Sequence, residues 1–343
     1  MDLSTCYCRD RNCHRYGQSG SEARLESAGW HRGALRLEGQ ECRHRFSSRT
    51  GTAFAGIRTP ADVYQKGIHH LAEGVLIRAT ARLMECDKDT VCHWLPRVGQ
   101  HCQGVRQYFF RQLHLTECQV VGLWTFVFKK EKHLTMLEKL AGRYGDTWIW
   151  TAFDPVHKLV PMWRVGKRTS EDAKRFILAL KGTLDAHIPF FTSDDLPQYA
   201  EALLEVYGKW YTPARRGTRG RLPAAHKRPP ANLCYAGVVK EREDNRLVQV
   251  TTRLVYGTEE QLNLFLKNSP VSTTINTYGV ERNNLTIRQD SRRLGRKVNA
   301  FSKKRTYLKY QLELAFAYYH FCCPHRGSCL RCKPSSNHGQ RKT

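Results

Sequence analysis

The period of the hydrophobic and polar positions changes along the chain, and each change marks a segment. From Cys6 to Phe46, Cys, His, Gly and Arg recur with no sustained apolar period, the pattern of a small module held by metal rather than by a core. From Pro60 the spacing turns helical through Val63, Ile68 and Leu71, then Ile77, Ala81 and Leu83, breaks at Cys86-Asp87 and restarts through Val91, Trp94 and Leu95. Short helices joined by a tight turn are predicted, with Pro96 shortening the last by removing a donor and crowding the preceding turn. After Cys118 the run Val120 to Phe128 is β-branched and aromatic, and Trp148 to Phe153 and Leu159 to Val165 repeat that composition, which predicts three neighbouring strands. Ser170 then caps a helix with Glu171 and Asp172 in its first turn and Phe176, Ile177, Leu180 and Leu184 on one face, before the apolar run Ile188 to Phe191. Strands followed by helix and strand predict an α/β core. Tyr235 to Val239 and Leu247 to Tyr256 form a hairpin pattern around Glu243-Asp244-Asn245. Thr258 opens a helix through Leu262, Phe265 and Leu266, and a long helical pattern runs from Tyr307 to Phe321.

Composition adds a partner. At roughly 150 residues per domain, 343 residues suggest two domains, each able to bury a core. Lys and Arg number 56 against 31 Asp and Glu, a net charge of +25, while 41% hydrophobic content argues against wholesale disorder. Such a charge attracts polyanions. Nucleic acid ranks ahead of membrane because the chain has no stretch of about 18 apolar residues to span a bilayer. The N-terminus lacks the basic and apolar regions of a secretory signal, and 13 cysteines, an odd number, suit thiols or metal ligands in a reducing compartment. An intracellular, cytoplasmic protein is expected. Pro213 to Pro230 carries Arg215, Arg216, Arg219, Arg221, Lys227 and Arg228 with no acid, the composition of an exposed basic loop.

Five constellations could carry chemistry. Cys8-x4-Cys13 and Cys42 supply three thiols of a zinc ribbon, whose second half would place the fourth at position 39, where the residue is Gly39. Cys6, His14, His31 and His44 are the alternatives. The terminal Cys322, Cys323, His325, Cys329 and Cys332 either chelate metal or belong to a disordered basic tail. Ile77 to Arg97 has the spacing of a helix-turn-helix, with Asp87 as N-cap and Lys88, Thr90, His93 and Arg97 facing a DNA groove; an ordinary helical hairpin has the same pattern. Asp194 follows an apolar run, at a strand end where a carboxylate can ligate a hard cation. Glu281 precedes Arg288, Arg292, Arg293, Arg296 and Lys297, so it is either a solvated ion-pair partner or a metal ligand beside a phosphate path.

Several of these motifs occur in a familiar order. Cys8-x4-Cys13, the Ile77 to Leu83 helix with Asp89-Thr90-Val91, Leu123-Trp124-Thr125-Phe126-Val127, Phe153-Asp154-Pro155, Gly166-Lys167-Arg168-Thr169, Thr192-Ser193-Asp194, Val280-Glu281-Arg282-Asn283 and Arg293-Leu294-Gly295-Arg296-Lys297 through Phe301-Ser302-Lys303 resemble the DDE transposases of the insertion-sequence-one family. The resemblance covers Cys8 to about His325. It implies a zinc-ribbon-like module over 1–58, an all-α helix-turn-helix over 59–110, an RNase H-like α/β catalytic domain over 118–325 with a basic insertion near 213–230, and a basic tail over 326–343. It further implies Zn²⁺ on Cys8, Cys13 and Cys42, Mg²⁺ or Mn²⁺ on an acid triad, and transposon terminal repeats and target DNA as double-stranded partners. The protein would act as a homo-oligomer on DNA, associated with the nucleoid. Asp194 matches the second acid and Glu281 the third. The first belongs three residues before Trp124, in an Asp-Glu-x-Trp motif; here Val121 stands there, followed by Gly122. Valine cannot coordinate a cation, so strand cleavage and strand transfer are expected to be impaired, and a non-enzymatic DNA-binding inhibitor or regulator is the alternative. Glu117 and Asp154 are the nearest substitute acids.

Overall fold

The computed structural model describes residues 6–31, 33–214, 223–244 and 246–324. The chain groups into two compact units, one of residues 1–109, 126–146 and 286–317, the other of 110–125, 147–285 and 318–343.

The first unit begins with an antiparallel sheet that the sequence pattern did not announce: β1 (Leu25–His31), β2 (Ala34–Gly39) and β3 (Arg45–Ser47). Its apolar content is a few residues of the middle strand, chiefly Leu35 and Leu37, too few to set a detectable period. The predicted helices follow as α1 (Ala61–Ala72), α2 (Ile77–Leu83) and α3 (Lys88–Phe109). Tyr64 and Trp94 pack edge to face between α1 and α3, and Gly67 gives the indole room, since a Cβ there would lie 2.3 Å from the ring. Asp87 accepts the Asp89 N–H at 2.7 Å, as an N-cap should.

Pro96 does not shorten α3, contrary to expectation. It sits inside the helix, and the Cys92 carbonyl four residues earlier, which Pro96 cannot serve, accepts the Tyr307 hydroxyl at 3.4 Å. Tyr307 belongs to α9 (Arg305–Phe321), whose Tyr310 rests on Gly99 of α3. Arg106 and Glu313 join the same two helices by two hydrogen bonds, Nε to Oε2 at 3.1 Å and Nη2 to Oε1 at 3.0 Å. Tertiary packing thus supplies what local propensity lacks. A short helix α4 (Met136–Ala141), closed by a capping box from Thr135 and Glu138, also lies in this unit.

The second unit is built on a mixed sheet of β4 (Glu117–Val127), β5 (Gly145–Phe153), β6 (Trp163–Gly166), β7 (Phe190–Ser193), β10 (Tyr235–Glu243) and β11 (Arg246–Tyr256), with α5 (Ser170–Lys181) and α6 (Pro197–Tyr207) between strands. A two-stranded ribbon, β8 (Lys209–Tyr211) with β9 (His226–Arg228), flanks the basic segment. The order across the sheet is β11-β10-β7-β4-β5-β6, with β7 parallel to both β4 and β10 and the outer pairs β10/β11 and β5/β6 antiparallel. The α/β expectation holds, with small shifts: Thr169, not Ser170, caps α5, accepting the Asp172 N–H, and β6 begins after Pro161, which has no N–H to give a ladder.

The two faces of the sheet have different neighbours, and this positions the site. On one face Cys118, Val120, Trp150, Phe191 and Tyr235 form the core with Phe176, Ile177 and Leu180 of α5 and Tyr199 and Leu203 of α6. On the other face Phe190, Cys234 and Ala236 pack against Leu262, Phe265 and Leu266 of α7 (Glu259–Asn268). Side chains alternate along a strand, so Glu117, Gln119 and Val121 of β4 share the α7 face.

Candidate functional site

Beyond β7 the chain turns sharply. Asp195 adopts φ 57°, its N–H is donated to Ser193 Oγ at 3.2 Å, and its carboxylate accepts Arg253 Nη2 at 2.8 Å. Gly237, paired with Ser193 across β10, leaves the space for that carboxylate, since a Cβ there would stand 2.3 Å from Asp195 Oδ1. Asp194, at the tip of the turn, is reached by solvent yet crowded by protein. Desolvation raises its pKa, the Arg168 charge opposes the rise, and the Glu281 carboxylate adds to it. The structure therefore brings Asp194 and Glu281, 87 positions apart, within electrostatic reach of one another.

Glu281 comes from α8 (Tyr278–Asp290), a helix the apolar period did not reveal because its sequence is dominated by polar side chains. Gln119 of β4 docks the start of this helix: its Oε1 accepts the Val280 N–H at 2.9 Å, and its Nε2 donates to the Asn276 carbonyl and side chain at 3.3 and 3.2 Å. Gly279 allows the approach, because a Cβ there would come within 2.9 Å of Gln119 and of the Phe153 ring. The Glu281 carboxylate accepts Thr277 Oγ1 at 2.6 Å and forms a short ion pair with Lys240 of β10.

Val121 completes the picture by what it lacks. The β4/β7 register pairs Gln119 with Thr192 and Val120 with Ser193, the last pair of the ladder, and Val121 and Asp194 are the residues that directly follow it on the two strands. The side chain at 121 is apolar and buried. Neither substitute acid reaches this end of the sheet. Glu117 lies four residues back, about 13 Å along the strand, and Asp154 spends its buried carboxylate on its own turn, accepting Val156 N–H at 2.9 Å and His157 Nδ1 at 2.6 Å. Residues 119, 168, 240, 253 and 277 escaped the sequence reading of the site. Arg168 stood in a quoted motif, but the others are joined to it only by strand register and helix docking.

In the other unit, the Sγ atoms of Cys8, Cys13 and Cys42 lie within 4.8 Å of one another, a group that could hold a metal ion. Two turns present them. One closes with Gly17 N–H on the Cys8 carbonyl; the other, between β2 and β3, closes with Gly39 N–H on the His44 carbonyl. None of Cys6, His14, His31 or His44 joins the group among the described residues. His14 is paired with Glu41 at 2.8 Å and the His44 ring stacks on Phe46.

Of the expected DNA contacts, Lys88 and His93 are exposed on α3 and Thr90 is half-buried. Arg97 is exposed but its guanidinium is tied to the Ala55 carbonyl across Gly56, so it is held by the protein. Arg292, Arg296 and Lys297 are exposed, whereas Arg288 donates to the Leu294 carbonyl and Arg293 to Ser302 Oγ. Burial, with Arg296 nearby, lowers the Arg288 pKa to about 10. A cleft of about 520 Å³ beside α2 is lined by Arg78, Arg293, Lys303 and Lys304 with Phe301 and Tyr307, and its lining holds no acid. Arg215, Arg216, His325, Cys329 and Cys332 lie outside the described residues. No helix among the described residues is long and apolar enough to cross a membrane. No family model matches the chain, and neither does any curated protein.

Proposed function

We propose that this chain is a DNA-binding protein of the DDE transposase type whose phosphoryl-transfer centre is incomplete. The observation that carries the reading is the electrostatic proximity of Asp194, just beyond β7, to Glu281 of α8, with Val121 directly following the last β4/β7 register pair. The sheet order supports an RNase H-like assignment for the second unit: β4, β5 and β6 are successive neighbours, and β7 and β10 are added on the far side of β4 through helical crossovers. The paired helices α2 and α3 and the cationic cleft beside them suit transposon-end DNA. Three thiolates suit zinc in the N-terminal module.

The residues present do not fit a two-metal centre. Two carboxylates provide too little negative charge and no third ligand, and each already faces a cation, Glu281 that of Lys240 and Asp194 that of Arg168. Lys240 and Arg168 offset the acids without a metal. This neutralisation favours the non-enzymatic variant of the reading, a protein that occupies transposon ends and leaves them uncut.

Nicking of a supercoiled plasmid in Mn²⁺ tests the proposal. The native protein is expected to match an Asp194→Ala control, and Val121→Asp to exceed both. Restoring Gly122→Glu as well is less favourable, since a Cβ at 122 would stand 3.2 Å from Trp148. Native activity well above the Asp194→Ala control would show a working centre and refute the incomplete one.

A further inference from the structure

The cleft beside α2, at about 520 Å³, falls in the size range of sites that enclose a small ligand. Its lining is of two kinds. Leu76, Ile77 and Ala300 supply apolar surface, and two aromatic rings stand with them, each held from behind. Phe301 is backed by Phe126, ring centroids 5.1 Å apart, and the Tyr307 hydroxyl is tied to the Cys92 carbonyl at 3.4 Å. The rest of the lining is cationic. Arg78, Lys303 and Lys304 are exposed and, among the described residues, paired with no acid, while Arg293 is steadied by its bond to Ser302 Oγ.

Fixed rings beside unneutralised cations suit a nucleotide, whose base has a π-face and whose phosphates are anionic. A paired duplex keeps its bases stacked and offers a protein only their edges in a groove, so no base face of a duplex reaches Phe301 or Tyr307. A base released from pairing does. Four cations also exceed the charge of one nucleoside monophosphate, so successive phosphates of a strand are the fitting anion. We propose that this cleft takes an unpaired nucleotide of a DNA strand, its base against Phe301 and Tyr307 and the strand's phosphates on Arg78, Lys303 and Lys304. The inference rests on the DNA-binding reading given above and deepens it: the cations alone hold a duplex backbone, whereas the rings add a preference for DNA whose end is open. Because both rings are already held in place, little freedom is lost when a base stacks on them.

Fluorescence anisotropy with the full chain compares a blunt duplex with one of the same length whose terminal base pairs are replaced by mismatches, so that the charge is equal and only pairing differs. The native protein is expected to bind the open-ended DNA about tenfold more tightly, the gain that stacking of a single base brings. Phe301→Ala should lose that preference and keep its affinity for the blunt duplex, which also shows that the variant is folded. Phe301→Tyr, which retains a ring, should keep the preference. Lys303→Gln with Lys304→Gln should weaken both DNAs. Free dTTP at the same nucleotide concentration should leave the open-ended DNA bound; displacement would assign the cleft to free nucleotides and overturn the strand. Equal affinity of the native protein for the two DNAs, or a preference that survives Phe301→Ala, would overturn the unpaired-nucleotide site and leave the DNA-binding reading intact. Failure to bind either DNA would overturn both.

Discussion

Glu117 and Val121 share one face of β4, and the uncharged one, Val121, is the residue that directly follows the last pair with β7. The acid that is present sits where it costs stability. Desolvation raises the Glu117 pKa, a Ser269 hydrogen bond opposes the rise, and the Asp154 charge adds to it. Because the folded pKa lies above the unfolded value of about 4.3, ionisation is penalised in the fold. That penalty is complete above the folded pKa and absent below the unfolded one. Glu117→Gln is therefore expected to stabilise the protein at pH 7, with the gain gone by about pH 3.5; urea unfolding at the two pH values checks this, and an equal shift at both would contradict it. At this scale the sequence was informative where a motif fixed a spacing. Gly39 and Val121 were singled out by counting from Cys42 and Trp124 along the motifs of the resemblance, and in the structure a Cβ at 39 would stand 2.6 Å from Cys42 Sγ. Lys240 and Arg253 were not legible, since nothing in a one-dimensional spacing ties residue 240 to 281 or 253 to 195.

Helices show the same division between local signal and tertiary rescue. The α5 pattern and its cap were visible to within one residue, because its buried face repeats at helical spacing and polar residues open it. In α3, Pro96 read as a stop and proved to be an interior residue, and the compensating groups on α9 are more than 200 positions away. Gly99 marks the place where the two helices meet. A Cβ there would lie 2.7 Å from Tyr310 Cβ, so Gly99→Ala is expected to cost about 1–3 kcal/mol despite its better helix propensity, read as a lower urea midpoint. An unchanged or raised midpoint would show that the two helices do not pack as described. Breaking the Arg106–Glu313 pair is expected to cost more, about 3–5 kcal/mol for Glu313→Ala, because the guanidinium would stay behind in a largely buried setting. The helix that carries Glu281 was invisible for the opposite reason: on its inward face buried Asn283 and Asn284 stand between buried Val280 and Ile287, which breaks the apolar period.

Across the whole molecule, the excess of 25 positive charges is the property composition gave most directly, and under the proposed reading it predicts a salt-dependent affinity for DNA. Replacing Arg78, Lys303 and Lys304 together by Gln is expected to flatten the dependence of log affinity on log salt by about 0.9 for each phosphate no longer neutralised. An unchanged slope would remove the cleft beside α2 from the DNA path. The two compact units are each assembled from separated segments, 126–146 and 286–317 grouping with the N-terminal residues. Pairings that distant leave no local pattern to read. The claim on which the functional account turns is that position 121 is the vacant ligand beside Asp194, and Mn²⁺ binding measured by electron paramagnetic resonance addresses it without requiring the DNA sequence. Val121→Asp is expected to bind Mn²⁺ about tenfold or more tightly than the native protein, at least the change that outer-shell ligands alone bring, and to lose that gain when Asp194→Asn is added. Equal Mn²⁺ affinity in Val121→Asp and the native protein, or a gain that survives Asp194→Asn, would contradict the account.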